Sequence, residues 1–222
     1  MIPTSIDGTD ITGATIDGTD VQEITVDGDV VFSAVTPVID DFETGNLNSY
    51  TTLSSGLAVT TTNPFEGSFC LSGDGSIITS TGPNNSVPEF GTDFEFYVLS
   101  TQLSGQGVVT WESDGNSSSF GFRTGYVTQL DFNSDRFTIN KAVSGDINGA
   151  GRVRVTNLGL NTNTWYNIQL TFSGSTLNFE IINTSNSNTI ATGSTSQYNS
   201  PGNQMSLRSN DSSISMDFIA PL

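Results

Sequence analysis

From Val38 onward, apolar and polar side chains alternate in short runs. Phe94, Phe96 and Val98 alternate with Glu95, Tyr97 and Leu99, and Tyr166, Ile168, Leu170 and Phe172 with Trp165, Asn167, Gln169 and Thr171. Leu177, Phe179 and Ile181 alternate with Asn178 and Glu180, and Ile214, Met216 and Phe218 with Ser213, Ser215 and Asp217. Leu130–Phe132 and Val153–Val155 behave the same way. A period of two places one set of side chains on each face of a strand. Gly, Asn, Asp and Ser break the runs, and no segment sustains a helical apolar period. Many short antiparallel strands with one apolar face predict two packed sheets, an all-β antiparallel sandwich of jelly-roll type.

The first 34 residues follow a different rule. Ile6-Asp7-Gly8-Thr9-Asp10-Ile11 returns ten residues later as Ile16-Asp17-Gly18-Thr19-Asp20-Val21, and again, shortened, as Val26-Asp27-Gly28-Asp29-Val30. Asp-Gly between β-branched residues signals a two-residue hairpin turn whose central positions need positive φ. The Asp-Gly-x-Asp pattern also resembles a calcium loop, but it lacks the twelve-residue spacing and terminal Glu of an EF-hand. Asp7, Asp10, Asp17, Asp20, Glu23, Asp27 and Asp29 fall here without a basic residue. Three short repeats cannot bury a core alone, and their strand edges need covering. Residues 1–36 are therefore expected to form homo-oligomers and dock the protein on its neighbours. Residues 37–222 are expected to form the sandwich, with Ser33–Pro37 as the connection.

Charge narrows the partners. Six basic residues stand against 23 acidic ones, a net charge of −17, and the sequence pI is near 4.1. Neither nucleic acid nor an anionic membrane would be attracted to such a surface. No apolar run approaches the ~20 residues needed to span a bilayer, so membrane insertion is not expected. Lys141 is the one lysine. At ~1 M salt the Debye length shrinks to roughly 3 Å, so a strongly acidic surface hardly repels itself. A halophilic source fits this composition; an ordinary acidic extracellular β-protein is the alternative. The 14 Phe argue against a disordered acidic chain. There is no histidine, so His-dependent triads and His-ligated zinc are excluded. The single cysteine, Cys70, lies between Phe69 and Leu71 and reads as a small buried apolar side chain.

Several stretches, in order, carry a family resemblance. They are Val38-Ile-Asp-Asp-Phe-Glu-Thr-Gly-Asn-Leu-Asn-Ser-Tyr50, Asn63-Pro-Phe-Glu-Gly-Ser-Phe-Cys-Leu71, Phe94-Glu-Phe-Tyr-Val98, Asn163-Thr-Trp-Tyr-Asn-Ile168 and Ser215-Met-Asp-Phe-Ile219. Together they resemble concanavalin A-like (laminin-G-like) lectin/glucanase domains, including those of haloarchaeal tailed-virus appendages. The likeness implies a sandwich that holds carbohydrate or decorates a surface. Glucanases of this fold carry an E-x-D-x-x-E strand. The nearest match, Glu112-Ser-Asp114-Gly-Asn116-Ser117, ends in Ser and lacks the second carboxylate that retaining chemistry needs. No enzyme activity is expected.

The resemblance also implies a structural calcium that ties the first strand to the last. Its matching oxygen donors are Asp41, Glu43, Ser68 and Asp217, with Glu66 as a further candidate. The plainer alternative makes these solvated acids and polar strand positions. Aromatic faces beside polar loop residues are the usual grip on sugar rings. That criterion selects Trp111, Tyr126 and Tyr97, with Asp114, Asn116 and Arg123 beside them; Trp165 reads as structural. The combined expectation is a virion surface protein of a halophilic archaeal virus, either a head turret or a tail fibre. It would have no signal peptide, would assemble in the host cytoplasm with other virion proteins, and would attach to host-surface glycans. A purely structural decoration protein and a cellular adhesin are the rival readings.

Overall fold

Three Asp-Gly steps each separate two short strands. β1 (Ser5–Ile6) pairs with β2 (Thr9–Asp10), β3 (Thr15–Ile16) with β4 (Thr19–Asp20), and β5 (Glu23–Val26) with β6 (Asp29–Ser33), all antiparallel. Ile6 lies opposite Thr9, Ile16 opposite Thr19 and Val26 opposite Asp29, so each repeat is a hairpin closed across its Asp-Gly. The computed structural model describes residues 38–79, 93–113, 125–143, 146–196 and 204–222, together with the backbone of these six strands; at 111–113, 142–143 and 146–152 it describes the backbone alone. The chain divides into two compact units, Met1–Pro37 and Val38–Leu222.

The second unit is all strand, with no helix among the described residues. Its elements are β7 (Thr51–Ser54), β8 (Leu57–Thr60), β9 (Cys70–Thr79), β10 (Phe94–Ser100), β11 (Gln106–Ser113) and β12 (Gly125–Asp131). Then come β13 (Arg136–Val143), β14 (Asp146–Thr156), β15 (Trp165–Ser173), β16 (Thr176–Asn183), β17 (Asn188–Ser196) and β18 (Gln204–Pro221). Hydrogen-bonded neighbours follow the order β14-β13-β12-β11-β18-β10-β15-β16-β17, with β9 on the other side of β18 and β7 and β8 beyond β9. Every pairing is antiparallel.

β18 makes two layers from this path. Its first half lies against β11 and its second half against β10, and its register with β9 slips between Asn210 and Ser215. A long strand that bends at such an irregularity can serve two sheets and form their shared corner. One layer is β10, β15, β16 and β17; the other is β11, β12, β13 and β14. β14 and β17, at the ends of the path, approach within 8 Å Cα to Cα, so the sheet is nearly closed.

The alternation decides what fills the space between. Phe94, Phe96, Val98, Ile168, Leu170, Leu177, Phe179 and Ile181 meet Val109, Tyr126, Leu130, Phe137, Ile139, Leu207 and Ile77 in one core. At the corner, a Cβ on Gly107 would sit 2.6 Å from Val98 Cγ1, so only glycine lets the strands come this close. Val38–Asp40 extends the sandwich: Ile39 N–H donates to Ile219 O and Ile219 N–H to Asp40 O, both at 2.7 Å. On β10 the alternation does not separate core from surface. Tyr97 and Leu99 face outward and are nevertheless buried; the turn carrying Phe65 lies over this face, its ring stacked on Tyr97 with centroids 3.9 Å apart.

Candidate functional site

The outward side chains of β15, β16 and β17 form a trough of about 370 Å³, lined by Gln169, Thr171, Asn178, Glu180, Thr192 and Ser194 with Phe179 and Gly193 between them. Register explains why they meet. Gln169 lies opposite Glu180, which lies opposite Thr192; one row on, Thr171 lies opposite Asn178, which lies opposite Ser194. In an antiparallel sheet directly opposed residues share a face. Two polar rows thus form one carboxylate, two amides and three hydroxyls into a single concave surface. β10 prolongs the first row, because Glu95 lies opposite Gln169.

Hydrogen bonds fix this face. Glu95 Oε2 accepts from Gln169 Nε2 at 3.1 Å and from Asn167 Nδ2 at 2.6 Å. Asn167 Nδ2 also donates to the Tyr97 hydroxyl at 2.6 Å. Glu180 Oε1 accepts the Thr189 hydroxyl. The Gln169 amide nitrogen is thereby turned towards Glu95, which orients the whole amide at the mouth of the trough. An ordered set of hydroxyls, amides and a carboxylate is the donor and acceptor inventory that polyhydroxylated ligands use.

A second cluster sits where the opening segment and β18 hold the residue 61–69 turn. Asp217 Oδ2 accepts the N–H of Phe65 at 2.7 Å and that of Glu66 at 3.4 Å, while Oδ1 accepts that of Phe218 at 2.8 Å. Glu43 Oε1 accepts the N–H of Ser68 at 2.7 Å and of Phe69 at 2.8 Å. Asp41 Oδ1 accepts the Glu43 N–H. Burial pushes the Asp217 carboxyl up to about 7 against the pull of these N–H groups, and Glu43 adds repulsion. Asp40 behaves alike: burial raises it to about 6, although the Tyr50 hydroxyl and the Phe42 N–H bond its carboxylate.

These contacts correct the calcium expectation. Asp41, Glu43 and Asp217 do lie about the same turn, but their oxygens face backbone N–H groups, and Ser68 contributes an N–H rather than an oxygen. Backbone N–H groups already take both Asp217 oxygens and one oxygen each of Asp41 and Glu43, so this donor set as it stands does not fit Ca²⁺. Among the described residues no group of three or more Asp, Glu, Cys or His side chains can hold a metal.

The expected sugar-binding aromatics are also corrected. Tyr126 is fully buried in the core, because it shares the inward face of β12 with Leu130; no ring face is left for a sugar. Tyr97 is buried under Phe65 with Phe218 against its edge, and its hydroxyl is engaged by Asn167. Trp111 lies in β11 opposite Tyr126, and its side chain is outside the described residues, as are Asp114, Asn116 and Arg123. Trp165 packs its edge against Phe65 at 5.9 Å. Cys70 is buried, donates to Thr62 O, and its thiol is pushed up to about 11 by burial, which makes it a poor nucleophile. Sequence reasoning missed the trough, although its residues are the polar alternates of three successive runs.

Strand order and register define an antiparallel β-sandwich with a nearly closed sheet. No family model matches the chain, and no curated protein matches it. Among solved structures, the chain is similar to the Ca²⁺-bound exoplasmic/lumenal domain of VIP36, with a TM-score of 0.52 and 13% identity over 85% of this chain and 89% of that one. It is also similar to carbohydrate-binding module CBM66 from Bacillus subtilis, at 0.47 and 15% over 79% and 95%. A legume lectin-like domain from Entamoeba histolytica gives 0.42 and 12% over 84% and 87%.

Proposed function

We propose that residues 38–222 form a carbohydrate-binding module, and that its ligand lies in the β15–β17 trough. The observation that carries this reading is the trough itself: an open concavity on a regular sheet, of ligand size, lined by oriented polar groups. Ligand pockets are usually lined mostly by apolar groups; a polar one suits a molecule covered in hydroxyls. The trough lining holds one carboxylate, Glu180, and so lacks the pair of carboxyl groups that glycoside hydrolysis uses. Binding without catalysis is therefore the reading we adopt.

For the whole chain we propose display on the surface of a halophilic archaeal virus, with residues 1–36 assembling subunits and the sandwiches held outward towards host glycans. The family resemblance, the acidic repeat and the net charge of −17 support this setting. Many copies of a weak site gain avidity by about 10²–10⁴.

The test is glycan-array binding by the full chain in molar salt, followed by titration of any hit against Thr192→Trp and Glu180→Ala. Loss of at least tenfold in affinity, with strand content unchanged by circular dichroism, supports the trough. Undiminished binding by both variants places the site elsewhere, and a flat array with folded protein favours a decoration protein. Removal of residues 1–36 is expected to leave a folded monomeric sandwich; a truncated chain that stays oligomeric would take the assembly role away from the repeat.

A further inference from the structure

Charge on the sheet that bears the trough is one-sided. β10, β15, β16 and β17 contain no Lys or Arg, and their charged residues are Glu95 and Glu180. The described cationic side chains belong to the other layer and the corner strand: Arg136 and Lys141 on β13, Arg154 on β14 and Arg208 on β18. Arg136 is moreover paired with Asp131 at 2.8 Å. Glu180 lines the trough, and Glu95 stands one strand away in the same row.

We propose, building on the trough as the sugar site, that it selects uncharged glycans and rejects acidic ones, with Glu180 as the specificity-determining residue and Glu95 as a positioning residue. A carboxylate or sulfate is bound by bidentate arginine, lysine or clustered N–H donors, and the trough offers no such cation. An acidic sugar would instead bring its charge within hydrogen-bond range of Glu180 without compensation. A neutral sugar donates hydroxyls to the Glu180 carboxylate and to the Gln169 amide oxygen, and accepts from Thr171, Thr192 and Ser194. Charge-assisted hydrogen bonds of this kind are shorter and stronger than neutral ones. Molar salt screens charges beyond roughly 3 Å, so the repulsion acts on a seated ligand and survives the ionic strength that would erase long-range steering. Glu95 works through Gln169: it takes the amide nitrogen and so leaves the oxygen as the acceptor offered to the ligand.

Calorimetric titration of the full chain in molar salt, with neutral galactose, glucose and mannose oligomers and with uronic-acid oligomers of the same length, tests the proposal. The expected result is at least tenfold tighter binding of a neutral oligomer than of any uronate. Glu180→Gln should narrow that gap mainly by strengthening the uronate, while Glu95→Gln should weaken the neutral ligand without strengthening the acidic one. A uronate bound as tightly as its neutral counterpart, or a gap unchanged in Glu180→Gln, overturns the selectivity. Failure of every oligomer to bind the folded chain would instead overturn the trough as a sugar site.

Discussion

Asp217 accepts the backbone N–H of Phe65 at 2.7 Å, across 152 residues of chain. The bond holds the residue 61–69 turn against the last strand, and the same turn seats Phe65 over Tyr97. One buried carboxylate therefore joins the opening of the sandwich to its end.

That carboxylate makes stability depend on pH. Folding raises the Asp217 pKa from 3.8 to about 7, chiefly through burial. The folded state then holds more protons than the unfolded state between about pH 4 and pH 7, so stability falls as pH rises through that window. Asp40, raised to about 6, adds in the same direction. Thermal melts at constant salt are expected to give a higher Tm at pH 5 than at pH 8, and Asp217→Asn a shallower profile. A variant profile as steep as the parent's would remove Asp217 as a source of the effect.

Glu43 and Gly67 form a second lock. A Cβ on Gly67 would lie 2.3 Å from Glu43 Oε1, and Gly67 has a φ of +61°. Gly67→Ala should displace the carboxylate from the Ser68 and Phe69 N–H groups and cost about 1–3 kcal/mol. Glu43→Ala should cost a similar amount, and the double variant less than the two together, because both remove the same contacts. Denaturant titration reads all three, and strict additivity would mean that the two residues act separately.

Calcium should add little. The Asp217 and Glu43 oxygens already accept backbone N–H groups, so neither millimolar Ca²⁺ nor a chelator is expected to move Tm by more than about 1 °C; binding to the native state alone would move it by far more. A rise of several degrees would show that the turn rearranges to take the ion.

Core and trough should separate cleanly. Tyr126→Ala empties a fully buried position and is expected to cost about 3–5 kcal/mol, leaving the sugar affinity of the folded fraction unchanged. Glu180→Ala should do the reverse. If Tyr126→Ala abolished binding by protein that is still folded, the ring would belong to the site.

Asp131 is fully buried, bound by Arg136 at 2.8 Å and by Gln106 Nε2 at 3.0 Å. Arg136→Ala leaves that charge in place without its cation and should cost about 3 kcal/mol or more. Adding Asp131→Asn should restore part of the loss. No recovery in the double variant would mean that Arg136 matters through packing rather than charge.

The strands were legible because one inward face per strand imposes a period of two, which β16 follows along its whole length; in β18 the alternation holds at Ile214 and Met216 and breaks at Phe218, which packs on Tyr97 while Ile219 enters the core. The three hairpins were legible in the Asp-Gly steps. Face assignment failed where both faces are apolar. In β12, Val127 is as buried as Tyr126, so alternation cannot say which of them points to the core. Tyr97 was misjudged for another reason: its cover comes from Phe65, more than thirty positions earlier, and only the tertiary fold brings that turn across β10. The trough residues were visible as polar alternates, but their concavity arises from the register of three strands, which no single run contains.

The corner strand also bears on how the protein is made. β18 contributes to both layers and lies between β9, β10 and β11, yet translation delivers it after every other described strand. Until it leaves the ribosome, β10 and β11 each lack a neighbour, and their open edges are exposed to other nascent chains. The sandwich can therefore close only once β18 has emerged, with a dependence on chaperones, or on very fast closure, that a domain nucleated near its N-terminus would escape.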